Sequence, residues 1–143
     1  MLILKKIIII VILVLSAISV LLLVKKIADN KKREINLCET DSIVLYLKNN
    51  GWETDPEMIA CKNIIIPYEF NNIYIQYNNI QKQQGFNLEK YKGSSVLLTI
   101  CPVTNYHDDS KVYAELLIKE NRLIGADLKC SGANGFIKPL NTH

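Results

Sequence analysis

Residues 112–130 read VYAELLIKENRLIGADLKC, and this stretch decides the fold. Val112, Ala114, Leu116 and Ile118 alternate with Tyr113, Glu115 and Leu117, the period-two pattern of a strand with one face on a core. Glu120-Asn121 is a two-residue hairpin connection that puts Leu123 opposite Ile118. In the returning run the apolar set is Leu123, then Ala126, Leu128 and Cys130, so its parity changes near Gly125. A bulge at Gly125-Ala126 would restore the pattern. Before this hairpin, Ser95 to Thr104 is a third run of strand type. Pro102 has no ladder donor, which places that strand at an edge there or makes it bulged. The last third is therefore expected to be an antiparallel β-meander.

Working back from the meander, Phe70, Ile73, Tyr74, Tyr77 and Ile80 recur at helical spacing, with Pro67 at a natural first helical position and Gly85 as the stop. The helix over 67–84 is expected to pack on one face of the meander. Cys61 to Ile66 reads as a short strand with Ile64, Ile65 and Ile66 buried. Thr40 or Asp41 can cap a short helix whose stripe is Ile43, Val44 and Leu47. Gly51 suits its left-handed C′ position and Trp52 the contact after it.

Ile7 to Val24 is a run of 18 residues with no charge, proline or glycine. As a helix it would rise roughly 27 Å, close to the hydrocarbon thickness of a bilayer. It is longer than a signal-peptide core, and Val24-Lys25-Lys26 is a poor cleavage site. The expected fold class is thus α+β: an N-terminal transmembrane helix, a short helix, a short strand, and an amphipathic helix packed on a C-terminal antiparallel β-meander. The expected division is an anchor over 1–24, a charged linker over 25–38 and one small domain over 39–143.

Charge separates in the same way. Of 17 basic and 14 acidic residues, seven and two lie in 1–34, which leaves ten and twelve in 35–143, net −2. The expected partners of the anchor are the lipid bilayer, through 7–24, and anionic headgroups, through Lys25, Lys26, Lys31, Lys32 and Arg33. The domain has no basic patch, which argues against nucleic acid. Counting lysines favours a cytoplasmic C-terminal side. A short tail before an apolar run, however, is how export signals begin. The expectation taken is a single-pass cell-membrane protein with an extracytoplasmic C-terminal domain.

Several stretches together resemble a domain-of-unknown-function family of low-GC Gram-positive bacteria, found behind an N-terminal membrane anchor or signal. They are Gly51-Trp52-Glu53, Ile66-Pro67, Gln84 to Gly93, Val103-Thr104-Asn105-Tyr106, Ala114-Glu115-Leu116-Leu117, Ile124-Gly125-Ala126-Asp127 and Asn134-Gly135-Phe136. The resemblance covers roughly residues 39–137. Members of that family often have Gly where Ala126 stands and Asp where Asn134 stands, so any chemistry of that Asp would be lost here. The resemblance implies an exported or membrane-tethered module and supplies no catalytic residue.

Candidate chemistry is sparse. Cys38, Cys61, Cys101 and Cys130 contain no C-x-x-C pair, so no zinc knuckle or thioredoxin-type motif is present. Cys101 and Cys130 fall on strands separated by a middle strand, too far apart to bond. Cys38 with Cys61 could pair outside the cell. His107-Asp108-Asp109 offers one imidazole and two adjacent carboxylates, which is not a closed coordination shell, and a solvated turn explains it more simply. No metal or cofactor is expected. Thr104, Asn105, Tyr106 and His107 at a strand end, with Asn134 and Phe136 in the tail, are the candidate binding residues. The competing reading is structural: Asn105 bonds the local backbone, Tyr106 packs over the sheet edge, and Phe136 plugs one end of the sheet. The expected function is a membrane-anchored module for binding or scaffolding at the cell envelope, its partner an unidentified envelope protein or ligand. The alternative is a small thiol- or His-dependent hydrolase using Cys130 or His107, which would have to converge in a pocket with a third group.

Overall fold

A computed structural model of the chain describes residues 12, 14–25, 40–107, 111–132 and 135–141. The chain divides into two compact units, Met1–Glu34 and Ile35–His143.

In the first unit, residues 14–25 are helical. Twelve residues rise about 18 Å, well short of the ~30 Å hydrocarbon core. Among the described residues no helix is long and apolar enough to cross a membrane, which corrects the expected N-terminal transmembrane helix. The start of the apolar run and the basic residues Lys26, Lys31, Lys32 and Arg33 lie outside the described residues.

The second unit is a five-stranded sheet in the order β1-β2-β3-β4-β5, every neighbour antiparallel. The strands are β1 (Ala60–Ile65), β2 (Ser95–Pro102), β3 (Val112–Lys119), β4 (Arg122–Cys130) and β5 (Phe136–Pro139). Two helices accompany it, α1 (Thr40–Asn49) and α2 (Asn72–Gln83), with single 3-10 turns at Pro56–Met58 and Leu88–Tyr91.

Both faces of the sheet are covered. Cys101, Val112, Ala114, Leu116, Ile118, Leu123, Ala126 and Leu128 line one face and meet Ile43 and Leu47 of α1. On the other face Val96, Leu98, Leu117 and Ile124 meet Ile66, Leu88 and the α2 aromatics Tyr74 and Tyr77. Each fully buried leucine, such as Leu47 or Leu116, contributes roughly 1.5–3 kcal/mol over its exposed state.

The β3–β4 hairpin turns through Glu120 and Asn121, both at positive φ (50° and 59°), as a two-residue primed turn requires. Leu123 pairs with Ile118, but Leu117 pairs with Gly125. The extra residue is Ile124, so the bulge comes one position before the expected Gly125-Ala126. Burial decides this, because the bulge turns Ile124 into the core beneath α2. Gly125 is then left where a Cβ would come within 3.0 Å of Leu117 Cδ1 and 3.1 Å of Gln81 Oε1.

α1 ends as its sequence suggests. Gly51, at φ 86°, occupies C′; its N–H donates to Lys48 O (3.0 Å) and Trp52 N–H donates to Leu47 O (3.0 Å), the paired bonds of a Schellman motif.

α2 departs from expectation at its start and in its face. It opens at Asn72, capped by Asn71, whose Oδ1 accepts the Tyr74 N–H at 2.9 Å. The side-chain cap satisfies an orphan donor, which Pro67 cannot do. Ile73 is 77% exposed, and the buried strip instead runs Tyr74, Tyr77, Asn78, Gln81. β1 is an edge strand, so its isoleucines alternate: Ile66 just beyond it is buried, while Ile65 is 67% exposed. Pro102 lies past Ala60↔Ile100, the last β1–β2 pair, where its missing N–H costs that ladder nothing.

Candidate functional site

The sequence-derived candidates gather at one end of the sheet. Past β2, Val103 N–H donates to Val112 O (2.8 Å) and Thr104 N–H to Glu53 O (2.9 Å). Asn105 Oδ1 accepts the Glu53 N–H and its Nδ2 donates to Gly51 O, both at 2.9 Å. The Asn105 amide is thus spent joining this loop to the end of α1, a segment more than fifty residues away rather than the local backbone.

Tyr106 stands at the centre of an aromatic row. Its ring centroid is 6.1 Å from that of Trp52 in a stacked arrangement, 6.0 Å from Phe136 and 4.3 Å from His107. Lys138 Nζ donates to Tyr106 Oη (3.0 Å) and lies 4.8 Å from the Phe136 centroid, a cation on the negative ring face. Trp52 is fixed from behind by its Nε1–H, which donates to Leu140 O at 2.8 Å. Thr104, Asn105, Tyr106, His107 and Phe136 therefore share one end of the domain; Asn134, Asp108 and Asp109 lie outside the described residues.

Beside this row runs an open groove of about 350 Å³, lined by Val44, Lys48, Trp52, Glu53, Thr54, Asp55 and Thr104. Its lining combines the apolar Val44 and Trp52 with charges of both signs, Lys48, Glu53 and Asp55. Thr54 Oγ1 is buried with no hydrogen-bond partner among the described residues.

The thiols are not arranged for nucleophilic work. Cys101 is fully buried, and burial, then the nearby Cys61, pushes its thiol up to about 12, so it stays protonated. Cys61 Sγ lies 3.6 Å from Thr99 Oγ1, and Cys130 Sγ 3.9 Å from Ser131 O. Cys101 and Cys130 sit on β2 and β4 with β3 between them. Cys38 lies outside the described residues. Among the described residues no group of three or more His, Cys, Asp or Glu side chains could hold a metal ion.

A second polar cluster was missed by sequence reasoning. Asp127 of β4 is fully buried under α2. Its Oδ2 accepts from Tyr77 Oη (2.7 Å) and Gln81 Nε2 (3.1 Å), while Oδ1 has no partner among the described residues. Glu115 is its directly opposed cross-strand neighbour and is itself paired with Lys129 at 3.3 Å. Burial, reinforced by the Glu115 charge and opposed by the Tyr77 and Gln81 donors and Lys129, raises the Asp127 carboxyl to about 7. Burial and the Asp127 charge together push the Tyr77 phenol well above its usual range.

Around Asp127, side-chain amides replace a missing strand. β5 pairs with β4 only from Asp127 to Cys130, which leaves Ala126, paired with Leu116 of β3, without a strand neighbour on its β5 side. Gln81 Oε1 accepts the Ala126 N–H (2.8 Å), Gln84 Nε2 donates to Ala126 O (2.6 Å), and Gln84 Oε1 accepts the Leu140 N–H (2.9 Å). The sequence signal was present in hindsight. On β4 Asp127 occupies the face opposite Ala126 and Leu128, and α2 covers that face.

No curated protein and no solved structure matches the chain. A family model matches residues 46–128, more than half of the chain, running from the last turns of α1 through most of β4 and taking in Trp52, Tyr106 and Asp127. The chain belongs to the family of the domain of unknown function DUF4830.

Proposed function

We propose that the C-terminal domain is a binding or scaffolding module that works without chemistry of its own at the membrane surface of the cell envelope, holding an extended segment of an envelope protein in the groove beside Trp52. The observation that carries the reading is the groove itself. Trp52, held by its bond to Leu140 O, lines the groove together with Val44 and the charged Lys48, Glu53 and Asp55. An apolar side chain of the partner would lie on Val44 and Trp52, and its backbone or polar groups would meet Thr104 and the flanking charges. The rigid aromatics cost little side-chain entropy when they bind.

Membrane association rests on the sequence. Lipid contact would run through residues 7–24, and Lys25, Lys26, Lys31, Lys32 and Arg33 would add headgroup attraction of about 1 kcal/mol each. The domain over 39–143 would stand on the extracytoplasmic side, tethered through 25–38. No observation favours the hydrolase alternative. Cys130 Sγ lies against its neighbouring carbonyl and His107 against the Tyr106 ring.

Two experiments test this. Protease treatment of wall-stripped intact cells should remove a C-terminal tag without lysis; protection until lysis overturns the extracytoplasmic placement. A photoreactive amino acid at Thr104 should cross-link to a discrete protein in cells and lose that adduct with Trp52→Ala. An adduct unchanged by Trp52→Ala would refute the groove.

A further inference from the structure

We infer that the charge on Asp127 regulates the Trp52 groove, transmitted by a run of five hydrogen bonds that leads from the buried carboxylate to the groove wall. The inference rests on the groove being the binding site and adds its control.

The chain is traced bond by bond. Asp127 Oδ2 accepts from Gln81 Nε2 (3.1 Å), and Gln81 Oε1 accepts the Ala126 N–H (2.8 Å). Ala126 O accepts from Gln84 Nε2 (2.6 Å), and Gln84 Oε1 accepts the Leu140 N–H (2.9 Å). Leu140 O accepts the Trp52 Nε1–H (2.8 Å), and Trp52 lines the groove. Every link donates in the same sense, towards Asp127; the Gln81 and Gln84 amides each donate at one end and accept at the other, and across Ala126 and Leu140, whose N–H and C=O belong to different peptide groups, the coupling is carried by the position of the backbone. An ionised carboxylate draws harder on its donors than a neutral acid does.

The carboxylate is placed to change charge. It is fully buried, and neither of its two donors carries a charge. The groups facing it are Tyr77, with Tyr74 beyond it, from α2; Glu115 from β3; Lys129 from β4; and Pro139, opposite it, from β5. The one cation among these is engaged with Glu115, so it compensates Asp127 only in part. A proton has a place to go, because Oδ1 has no hydrogen-bond partner among the described residues. Burial and Glu115 lift the carboxyl to about 7, inside the range a cell or its surface visits.

Trp52 is the sole tryptophan, so its fluorescence reports the end of the chain directly. In the full-length protein in detergent, titrated between about pH 5 and pH 9, its emission should shift with a midpoint near 7. Asp127→Asn should abolish the shift. Gln84→Leu, which cuts the chain midway and leaves Asp127 and its donors in place, should abolish it too, so the test survives if the first variant does not fold. His107→Gln should keep it, because His107 lies against the Tyr106 ring and forms no link of the run from Asp127 to Trp52. A shift that persists in both Asp127→Asn and Gln84→Leu, or that disappears in His107→Gln, overturns the coupling, as does a wild-type emission that does not titrate. Cross-linking from Thr104 at about pH 6 and pH 8 then separates the two claims. A several-fold difference in yield that Gln84→Leu removes supports regulation. Equal yields refute regulation alone. No adduct at either pH, with the Trp52 shift intact, refutes the binding reading and the regulation with it.

Discussion

Among the described residues Asp127 has two donors on one carboxylate oxygen and none on the other, a lopsided arrangement for a buried group. Its stability consequence has a definite sign. With a folded value near 7 against an ordinary value of 3.8, the native state holds a proton that the unfolded state releases. Its contribution is fully present below about pH 4 and is lost as pH rises through about 7, a change on the order of a few kcal/mol. Urea denaturation at several pH values should therefore show wild-type stability declining across this window and Asp127→Asn declining much less. A wild type that gains stability over the window would contradict the burial argument. Asp127 was hard to see in the sequence because one strand residue in an alternating run reads as solvent-facing until the opposite face is known to be covered. The same holds for Gln81: a glutamine at helical spacing from Tyr74 and Tyr77 looks like surface until the short β5 leaves a backbone N–H of β4 for it to cap.

Among the elements, the β3–β4 hairpin was the most legible, since period-two alternation and a two-residue turn leave little freedom in register. The bulge was legible in kind and displaced by one residue, because the sequence alone could not weigh burying Ile124 against keeping it in the ladder. α2 was legible in existence but not in its start or its inward face. Its buried strip contains Asn78, whose Oδ1 accepts the Leu88 N–H at 2.8 Å, and Gln81, and apolar periodicity does not register such residues. The cap gives a direct test. Asn71→Ala should cost about 1 kcal/mol by removing the bond to Tyr74, whereas Pro67→Ala, outside the helix, should change stability by less than ~0.5 kcal/mol. Equal effects would mean that the helix begins where the proline suggested. In the candidate site, Tyr106 and Phe136 were legible as exposed-type aromatics near strand ends. Trp52 and Lys138 were not, because only the sheet order brings the end of α1 and β5 beside them.

For the whole molecule, size and charge bounded the answer well. About 109 residues suit one core, and the second unit, Ile35–His143, has one sheet with both faces covered. Residues 35–143 alone should unfold cooperatively, with a Tm within a few degrees of the full chain in detergent. Having lost the basic flank, they should also no longer sediment with anionic vesicles. Loss of cooperativity would show that the first unit contributes to the fold, and retained sedimentation would place the lipid contact in the domain instead. The family match adds membership and no activity, so function has to be argued from the site.

The central claim is that this domain binds a partner at the groove beside Trp52. The most direct test is an in-cell scan with a photoreactive amino acid at Lys48, Asp55 and Thr104 in the groove and at Gln76 and Asn79 on the exposed side of α2. The account predicts one discrete adduct from all three groove positions and none of comparable yield from α2. Adducts spread evenly over the five positions, or concentrated on Gln76 and Asn79, would contradict it.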